Sequence, residues 1–431
     1  MARSSLFPAS VQPGKPILPL CPHGWTTVKF GDVLQIVERP TELIDNVEYQ
    51  LVTAKRSRGG VVARSRLLGR DVLTKTQFLI ARDDFLMSNR QIIHGGCGIV
   101  PPALDGAVVS NEYSVLRPKS ELLLEFLGYF SHSIYFQQTC FHASVGVDVE
   151  KMIFDCERWL EFRFHLPPLH EQRRIVEIMS SADEAIAATR AVIEQTRKVK
   201  QGVLEHLLTR GIGHTRFKQT DIGEIPEGWE VAEVQEHFHV QLGKMLSKAA
   251  RISSSPSPYL RNANVQWGQI DTEDLLYMDF SEQEKQKFRL QEGDLLVCEG
   301  GDVGRCAIWN DGREMYYQKA LHRLREKTGA VKNQFIMYVL VRIFKSKALS
   351  AGLVGTNSIA HFTREQFLRM KFPVPGTEEQ NAICETLMTL DDSTGENASK
   401  QEALLNLKSA LMSDLLTGRK RVTDARPLAA E

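Results

Sequence analysis

A single frame of residues occurs twice in this chain, and the two copies lie about half the chain apart. Each copy has a proline-containing turn, a Glu-Gln pair and an isoleucine four residues after the glutamate: Glu171-Gln172 with Ile175, and Glu379-Gln380 with Ile383. The spacing of 208 residues still holds at the far end, where Leu207 corresponds to Leu415. Two copies of one unit in a single chain favour a pseudo-two-fold molecule, which suits a two-part target.

A β-rich domain is predicted before each copy of the frame. The domains open at Gly24-Trp25 and Gly228-Trp229 and continue in short alternating apolar runs broken by Gly, Asn and Asp, a pattern typical of strands. Each ends in a predicted short helix, at 121–137 and 333–349. The expected fold class is α+β. We expect a leader at 1–20, globular domains at 21–165 and 214–372, long helices at 166–213 and 373–421, and a tail at 422–431.

The two long helices carry a seven-residue repeat, which predicts a coiled-coil seam. In the first helix its two stripes are Ile175, Ala182, Thr189, Thr196 and Val203, and Met179, Ile186, Ile193 and Leu207, with Lys200 as an interruption. In the second they are Ile383, Leu390, Asn397, Leu404 and Leu411, and Leu387, Thr394, Gln401, Lys408 and Leu415. A two-fold relation between the repeats predicts antiparallel pairing. We expect the polar Thr189 and Asn397 to fix the register, at a cost in stability.

Composition limits the class of protein. The formal net charge is zero, so a surface for nucleic acid must be a local patch. Seven cysteines without a CxxC pair predict free thiols in a reducing, cytoplasmic setting. The most apolar window, 335–344, is short and contains Arg342, which argues against a membrane span.

Basic and amide side chains suggest DNA contacts in both globular domains, because they neutralise phosphates and form hydrogen bonds with base edges. The candidates in the first domain are Lys55, Arg56, Arg58, Arg64 and Arg66, around a predicted tight turn at Gly59-Gly60. Those in the second are Lys244, Lys248, Arg251, Arg261, Asn262 and Asn264. A solvated charged face is the alternative interpretation for an isolated strip of this kind.

No catalytic centre is predicted. The glycine-rich run at 293–305 lacks the spacing and the lysine of a phosphate-binding loop, and we interpret it as two strands joined by a turn. The histidines and cysteines lack metal-ligand spacing, so we expect no metal site. The N-P-P-aromatic tetrapeptide typical of amino-methyltransferases does not occur, and no paired-carboxylate and lysine nuclease core is recognisable.

The repeated frame resembles the conserved regions of type I restriction–modification specificity subunits. The resemblance is carried by Leu166-Pro167-Pro168-Leu169-His170-Glu171-Gln172-Arg173-Arg174-Ile175 and by Leu204-Glu205-His206-Leu207-Leu208-Thr209-Arg210-Gly211, and it extends from about Gly24 to Val422. The segment 225–231 resembles the start of a second target-recognition domain in that family. The second copy departs from the pattern, because Pro375-Gly376-Thr377 replaces the Pro-Pro-Leu of the first.

The resemblance implies a non-catalytic subunit in which two target-recognition domains each recognise half of a split, asymmetric DNA sequence. The paired helices would set the gap and dock two modification subunits that bind S-adenosylmethionine and methylate adenine. Two restriction subunits, with ATP and Mg, would complete the complex. The residues expected at the spacer and subunit interface are Glu171, Gln172, Ile175, Ile186, Ile193, Leu207, Glu379, Gln380, Ile383, Leu387, Leu404, Leu411 and Leu415.

Three alternatives remain open from the sequence. The first is a fused enzyme that combines recognition and methylation, against which the missing tetrapeptide argues. The second is a coiled-coil scaffold for protein interactions without a DNA role. The third is a specificity subunit that serves a methylation-only complex.

Overall fold

The computed structural model describes residues 16–246, 256–346 and 363–422, and these form two compact units. Unit 1 comprises the chain up to Arg190 together with the residues from Ser399 onward, and unit 2 is Ala191–Ala398. Each of the two long helices therefore contributes one half to each unit. The expected α+β fold class is confirmed.

Unit 1 begins with short strands and ends in the first half of a long helix. Its strands are β1 Thr26–Lys29, β2 Leu34–Ile36, β3 Pro40–Thr41, β4 Glu48–Ala54, β5 Val61–Leu68, β6 Gln77–Leu79, β7 Phe85–Ser88, β8 Cys97–Ile99, β9 Val108–Ser110, β10 Tyr113–Pro118, β11 Ser144–Val145, β12 Ile153–Phe154 and β13 Arg163–Leu166. Its helices are α1 Phe30–Val33, α2 Leu124–Phe130, α3 Ile134–His142, α4 Cys156–Leu160 and α5 Leu169–Arg210, of which α5 continues into unit 2.

The frame of unit 1 is a four-stranded antiparallel sheet in the order β2-β10-β7-β8, in which Leu116 of β10 lies opposite Ile36 and Phe85. Strands β1 and β13 form a separate antiparallel pair. Between β2 and β7 the chain builds most of a second sheet of five strands, in the order β3-β6-β9-β4-β5. In this inserted sheet β5 is an edge strand, so the β4–β5 hairpin has one face and one edge free for contacts.

Aromatic packing and helix ends form the core of unit 1. The ring of Phe30 stacks against those of Trp159 and Phe164, with centroid distances of 4.1 and 4.5 Å. Ile175 and Met179, from the start of α5, are buried in the same cluster as Leu415 and Leu416 near the end of the second long helix. Each such buried apolar side chain stabilises the fold by about 1.5–3 kcal/mol.

Unit 2 contains the second set of elements. Its strands are β14 Phe217–Thr220, β15 Gly223–Pro226, β16 Glu230–Glu233, β17 Phe238–Leu242, β18 Ser257–Leu260, β19 Leu276–Met278, β20 Leu295–Cys298, β21 Cys306–Ile308, β22 Tyr316–Tyr317, β23 Leu321–Glu326 and β24 Lys371–Val374. Its helices are α6 Val234–His237, α7 Glu282–Phe288, α8 Asn333–Lys345, α9 Arg364–Leu368 and α10 Thr377–Leu415, of which α10 continues into unit 1.

The frame of unit 2 repeats that of unit 1. The order β17-β23-β20-β21 is again antiparallel, with Leu324 of β23 opposite Val240 and Leu295, and β16 pairs with β24 as β1 pairs with β13. The inserted sheet differs, because over the part of the chain that the structure describes it has three strands, in the order β19-β18-β22. Of the two strands predicted within 293–305, β20 lies inside this run, whereas the second strand, β21, begins only at Cys306, directly after it.

The core of unit 2 also contains a helix pair. Leu204 and Leu208, from the end of α5, are buried with Ile383 and Leu387 from the start of α10. The apolar window at 335–344 lies in α8, which packs in this core. In each unit the start of one long helix lies against the end of the other, so the predicted antiparallel pairing is confirmed.

A glycine in the left-handed region follows each long helix: Gly211 lies directly after α5, with φ +65°, and Gly418 lies three residues after the end of α10, with φ +68°. Glycine is the residue that adopts this conformation at a helix end without a steric penalty. A Cβ on Gly211 would also contact Glu379 and Trp229, and one on Gly418 would contact Pro22 and Trp25. The tryptophan that opens each globular domain therefore packs against the end of a long helix.

The structure bears on two further details of the sequence predictions. The helix expected at 121–137 is divided into α2 and α3, because the side chain of Ser133 accepts a hydrogen bond from the Phe136 amide and starts a new helix. For Thr189 and Asn397, which we expected to fix the register, the described residues show no hydrogen bond from either side chain to the partner helix, so this role stays a prediction. Their side chains donate to carbonyls of their own helices, at Ala185 and Ser393, over 2.8 Å in each case.

Candidate nucleic-acid interface

The basic strip predicted in the first domain lies on the β4–β5 hairpin. The predicted tight turn is present, because the amide of Lys55 donates to the carbonyl of Gly60 over 2.9 Å. Ser57 and Arg58 both have positive φ, at 56° and 61°, which is costly for residues other than glycine. Their amides donate to the carbonyls of His94 and Gly95 over 2.7 and 3.1 Å, and these bonds hold the turn in place.

Most cations of this strip keep their charge available. Lys55 and Arg64 are exposed and form no ion pair with any residue that the structure describes. The guanidinium of Arg66 donates to Gln50 over 3.1 Å, which leaves its charge unneutralised. Only Arg56 contacts a carboxylate, that of Glu150 at 3.1 Å. The hairpin therefore presents a net positive surface suited to phosphate.

Arg58 is the least exposed cation of the strip. Burial lowers the pKa of its guanidinium below the ordinary value, while the neighbouring Cys97 acts in the opposite direction. Burial also raises the pKa of Cys97 to about 12, so this thiol is neutral at physiological pH. An arginine remains charged even with a lowered pKa, and Arg58 lies between two cavities of unit 1.

The candidate lysine of the second domain is used inside the protein. The ammonium of Lys244 donates to the carboxylate of Glu284 and to the carbonyl of Asp279, each over 2.6 Å, and lies 4.9 Å from the ring centroid of Phe280. Its side chain is 12% exposed. Lys248 and Arg251 lie outside the described residues.

The segment 261–264 forms a turn whose polar side chains form hydrogen bonds and an ion pair within the protein. Arg261 pairs with Asp274, and the amide nitrogen of Asn262 donates to the carbonyl of Gly300 over 3.0 Å. Asn264 is buried, donates to the carbonyls of Asp271 and Asp274 and accepts from the amide of Arg261, each over 3.0 Å. DNA contact by these residues stays a prediction, which for Asn264 requires the loss of three hydrogen bonds.

A cationic groove in unit 2 was not predicted from the sequence. It has a volume of about 860 Å³ and runs beside β17. Its lining includes Gln241 and five basic side chains: His239, Lys287, Arg323, Lys327 and Arg364. These residues are spread over more than a hundred positions, so no local run of charge indicates them. The only sequence signal for this groove is the alternation of residues in β23, which places the side chains of Arg323 and Arg325 on one face of the strand.

The glutamate of each repeated frame, buried in unit 1 and half-buried in unit 2, connects the first turn of a long helix to the globular part of its unit. In unit 1 the indole of Trp25 donates to Glu171 over 3.0 Å, and Arg421 donates to the same carboxylate over 2.9 Å. In unit 2 the indole of Trp229 donates to Glu379 over 2.9 Å. His214 takes the place of Arg421 there, with its Nε2 atom 2.9 Å from Glu379. The Glu of each repeated frame thus fixes a helix start.

The glutamine of each frame makes the same three hydrogen bonds in both units. Gln172 donates to the carbonyls of Pro167 and Glu121 over 2.8 and 2.9 Å and accepts from the amide of Leu123 over 2.8 Å. Gln380 donates to Pro375 and Ala330 over 2.9 Å and accepts from Lys332 over 3.2 Å. Both side chains are buried, so they fix the backbone around the helix start.

Two polar clusters connect the paired helices and were missed as a pattern in the sequence. In unit 1 Lys408 of α10 pairs with Asp183 of α5, which also accepts from the hydroxyl of Tyr129 over 3.0 Å. In unit 2 Lys200 of α5 pairs with Asp391 of α10, which accepts from Tyr338 over 2.9 Å. The two lysines that interrupt the apolar stripe therefore have equivalent partners.

The predicted spacer residues lie within the units rather than on their surfaces. Ile175, Ile193, Ile383, Leu387 and Leu415 are buried, as are Glu171, Gln172 and Gln380. Ile186, Leu207, Glu379, Leu404 and Leu411 are half-buried. These side chains pack the fold from inside, so contacts with another subunit by these thirteen residues stay a prediction.

Three general properties of the described residues complete the description. None of their helices is both long and apolar enough to span a membrane. Within the same residues, no group of three or more His, Cys, Asp or Glu side chains is arranged to hold a metal ion. All seven cysteines are free thiols, as predicted, and six of them are buried.

Comparison with known proteins identifies the family. The family model described as "Type I restriction modification DNA specificity domain" matches the chain twice, over residues 22–196 and 226–406. The chain is 27% identical over 425 residues to the type I restriction enzyme MjaVIII specificity subunit of Methanocaldococcus jannaschii, with 93% of this chain and 94% of that protein covered. It is 25% identical over 194 residues to the EcoKI specificity subunit of Escherichia coli, which covers 42% and 39% of the two chains.

Solved structures share the fold at low sequence identity. A chain from a study of complex assembly and conformational transition in the type I R-M system matches with a TM-score of 0.60 and 18% identity, covering 93% of this chain and all of the other. The S subunit from M. genitalium matches with a TM-score of 0.55 and 14% identity, covering 93% and 99%. The chain therefore belongs to the family of type I restriction–modification DNA specificity subunits, and the prediction that it is a non-catalytic subunit is confirmed.

Proposed function

We propose that this chain selects the DNA sequence on which a type I restriction–modification complex acts. In this proposal residues 21–165 and 214–372 are two target-recognition domains. Each recognises one half of a bipartite, asymmetric site, and the helices α5 and α10 set the gap between the halves. The bases recognised are set by the side chains that reach the grooves, while phosphate contacts position the domains.

The observation that carries the proposal is a shared frame with different inserted sheets. The same four-stranded order occurs in both units, with equivalent registers at Leu116 and Leu324. Among the described residues the inserted sheets have five strands in unit 1 and three in unit 2. Domains that share a scaffold and differ in their inserted surfaces are suited to hold one geometry while they recognise two unrelated half-sites.

The frame also supports a role in assembly. We propose that the helix pair docks two modification subunits that bind S-adenosylmethionine, and that two restriction subunits with ATP and Mg join them. The chemistry then belongs to the partners, and the chain supplies position and sequence choice. The hydrogen bonds that Glu171 and Glu379 accept from Trp25 and Trp229 favour a rigid connection between each long helix and its domain.

A scaffold without a DNA role is less well supported. The β4–β5 hairpin exposes Lys55 and Arg64 without carboxylate partners among the described residues, although the net charge of the chain is zero. Such local enrichment of unpaired cations is typical of phosphate-binding surfaces. A methylation-only complex would use the same surfaces, and the presence of a restriction subunit separates it from a full system.

The proposal is tested by single-molecule sequencing of methylated bases in a host that expresses this chain with its modification partner. We expect methylated adenines in one motif of two defined segments that are separated by a fixed number of unspecified bases. The modification partner expressed alone is the control, and we expect it to give no such motif. A continuous motif, or methylation that does not depend on this chain, would contradict the proposal.

A further inference from the structure

The cationic groove of unit 2 is distinct from the side chains that the sequence suggested for DNA binding. It runs beside β17, and its basic side chains come from β17, β23, the end of α7 and the start of α9. No carboxylate belongs to its lining among the described residues. The charge of the groove is therefore positive over its length.

Arg323 lies at the base of this groove without an acidic partner. Its guanidinium donates to Gln241 over 2.8 Å and to the carbonyls of Lys287 and Arg289 over 3.3 and 3.4 Å. Because these acceptors are neutral, they fix the orientation of the Arg323 guanidinium and do not neutralise its charge. Asp294, which directly precedes the adjacent strand β20, is already paired with Arg325 at 2.6 Å.

The other three cations are exposed, and within the described ranges they contact only neutral groups. The ammonium of Lys327 donates to the carbonyl of Gln235 over 2.5 Å, and Arg364 donates to the carbonyl of Val240 over 3.4 Å. Lys287 lies 5.3 Å from the ring centroid of Phe288. Residues 247–255 and 347–362, which fall outside the described ranges, contain no Asp or Glu in sequence.

Several other cations of unit 2 are paired with carboxylates. Lys244, Arg261 and Arg325 each contact a carboxylate, those of Glu284, Asp274 and Asp294. Lys285 is half-buried and pairs with Glu282, and the exposed Arg313 and Lys371 pair with Asp311 and Asp221. Among the described residues the groove cations Lys287, Arg323, Lys327 and Arg364 have no acid partner, which leaves several charges for one polyanion.

We propose that this groove binds the phosphate backbone of duplex DNA at the half-site recognised by unit 2, with Lys287, Lys327 and Arg364 as its phosphate contacts and Arg323 as the residue that positions them. The inference rests on the proposed function and names the surface that performs it in this unit. Several separated cations match the regular spacing of backbone charge in DNA better than they match a single small anion.

The test compares two triple variants of the chain in complex with its modification partner. One variant is Lys287→Ala, Lys327→Ala and Arg364→Ala. The matched control is Lys285→Ala, Arg313→Ala and Lys371→Ala, which removes the same charge from cations that are paired with carboxylates. Binding to a short labelled duplex is measured over a range of salt concentrations, first with random sequence and then with the site found by methylation mapping. Thermal unfolding and the size of the complex are measured for both variants.

We expect the groove variant to bind about 10- to 100-fold more weakly at low salt, and the dependence of log affinity on log salt to fall by about 2–3. The control should keep both values within about twofold. Unchanged DNA binding by a correctly assembled groove variant would overturn the inference and leave the proposed function intact. Weaker assembly with the modification partner at unchanged DNA affinity would show a protein-binding groove and also overturn it. Failure of the unaltered complex to bind DNA would overturn both.

Discussion

Glu171 lies in the first turn of α5 with 1% of its surface exposed, and its carboxylate accepts hydrogen bonds from Trp25 and Arg421. Burial raises the pKa of this group, but the hydrogen bonds from Arg421 and Trp25 outweigh that effect, and the net pKa is below the ordinary value. The stability that it contributes is therefore present above about pH 4.3, the ordinary pKa of glutamate, and is lost as the pH falls through the lower folded pKa.

We predict that Glu171→Gln lowers the free energy of unfolding by about 2–4 kcal/mol at pH 7, because it leaves Arg421 without its buried partner. The difference from the unaltered chain should shrink as the pH falls below about 4.3. Denaturant unfolding at several pH values measures both effects. Glu177→Gln is the control, because Glu177 is exposed on the same helix and pairs with Arg174. A loss that is independent of pH would contradict the role assigned to the charge.

Arg64 is exposed on the edge strand β5 and carries no carboxylate partner among the described residues. We predict that Arg64→Ala weakens binding to one half-site by about 1–3 kcal/mol if the guanidinium contacts a base. Arg90→Ala, which removes an exposed arginine paired with Glu112, should have little effect. Affinities for duplexes altered in one half-site at a time provide the measurement. Equal loss on all sequences would instead show that Arg64 contacts a phosphate.

The sequence alone predicted the accessible basic strip on the hairpin of unit 1, but it did not predict which DNA-binding candidates of unit 2 are accessible. The hairpin strip is continuous in sequence, so its charge and its Gly59-Gly60 turn are both visible there. Lys244 looked equally available, but its partner Glu284 lies 40 residues away and is brought close only by folding. The groove around Arg323 was invisible for the same reason, since distant elements contribute its cations.

At the scale of elements, the polar contacts between α5 and α10 determine how the helices align. Lys408 pairs with Asp183, and Lys200 pairs with Asp391. The separation along the chain is the same within both helices, because 200 − 183 and 408 − 391 both equal 17. The apolar stripe alone is compatible with shifted registers, whereas two ion pairs at equal separation favour one register.

Charge reversal tests this register in unit 1. We predict that Lys408→Asp and Asp183→Lys each lower the free energy of unfolding by about 1–2 kcal/mol, and that the double variant regains much of the loss. Recovery should be incomplete, because the Tyr129 hydroxyl loses its acceptor. Reversal of the exposed Arg174–Glu177 pair within α5 is the control. A double variant as unstable as the sum of the singles would show that the pair does not determine the register.

The heptad pattern predicted the pairing of these helices, and the two-fold relation between the repeats predicted their direction, but neither pointed to the ion pairs that join them. Thr189 and Asn397 occupy stripe positions, yet each donates to its own helix. Lys200 was interpreted as an interruption because its partner Asp391 lies 191 residues away. The sequence pattern of a single helix shows which of its faces is apolar. It does not show which residue of the partner helix pairs with a charged side chain.

Across the whole molecule, the frame recurs and the inserted sheets differ. The 208-residue spacing reflects features that occur in both units. These are the sheet order, the Glu and Gln of the repeated frame, and the ion pairs between the long helices. The five-stranded and three-stranded inserts were predicted only as β-rich segments, because short irregular strands lack a pattern that specifies their number or order. The repeated frame is suited to hold a fixed geometry, and the differing inserted sheets are suited to recognise different DNA sequences.

We propose that the helix pair sets the distance between two independent half-sites. Deletion of 190–196 together with 395–401 removes one heptad from each helix between the two ion pairs, so both pairs keep their register. Seven helical residues span about 10 Å, which corresponds to about three base pairs of DNA. Deletion of 190–196 alone is the control, and we expect it to abolish site-specific methylation because the two ion pairs then cannot form together.

Methylation mapping of the double-deletion variant by single-molecule sequencing, in a host with the modification partner, is the most direct measurement. The account predicts the same two half-site sequences with a gap that is shorter by about three base pairs. An unchanged gap, or a change in the bases of either half-site, would contradict it.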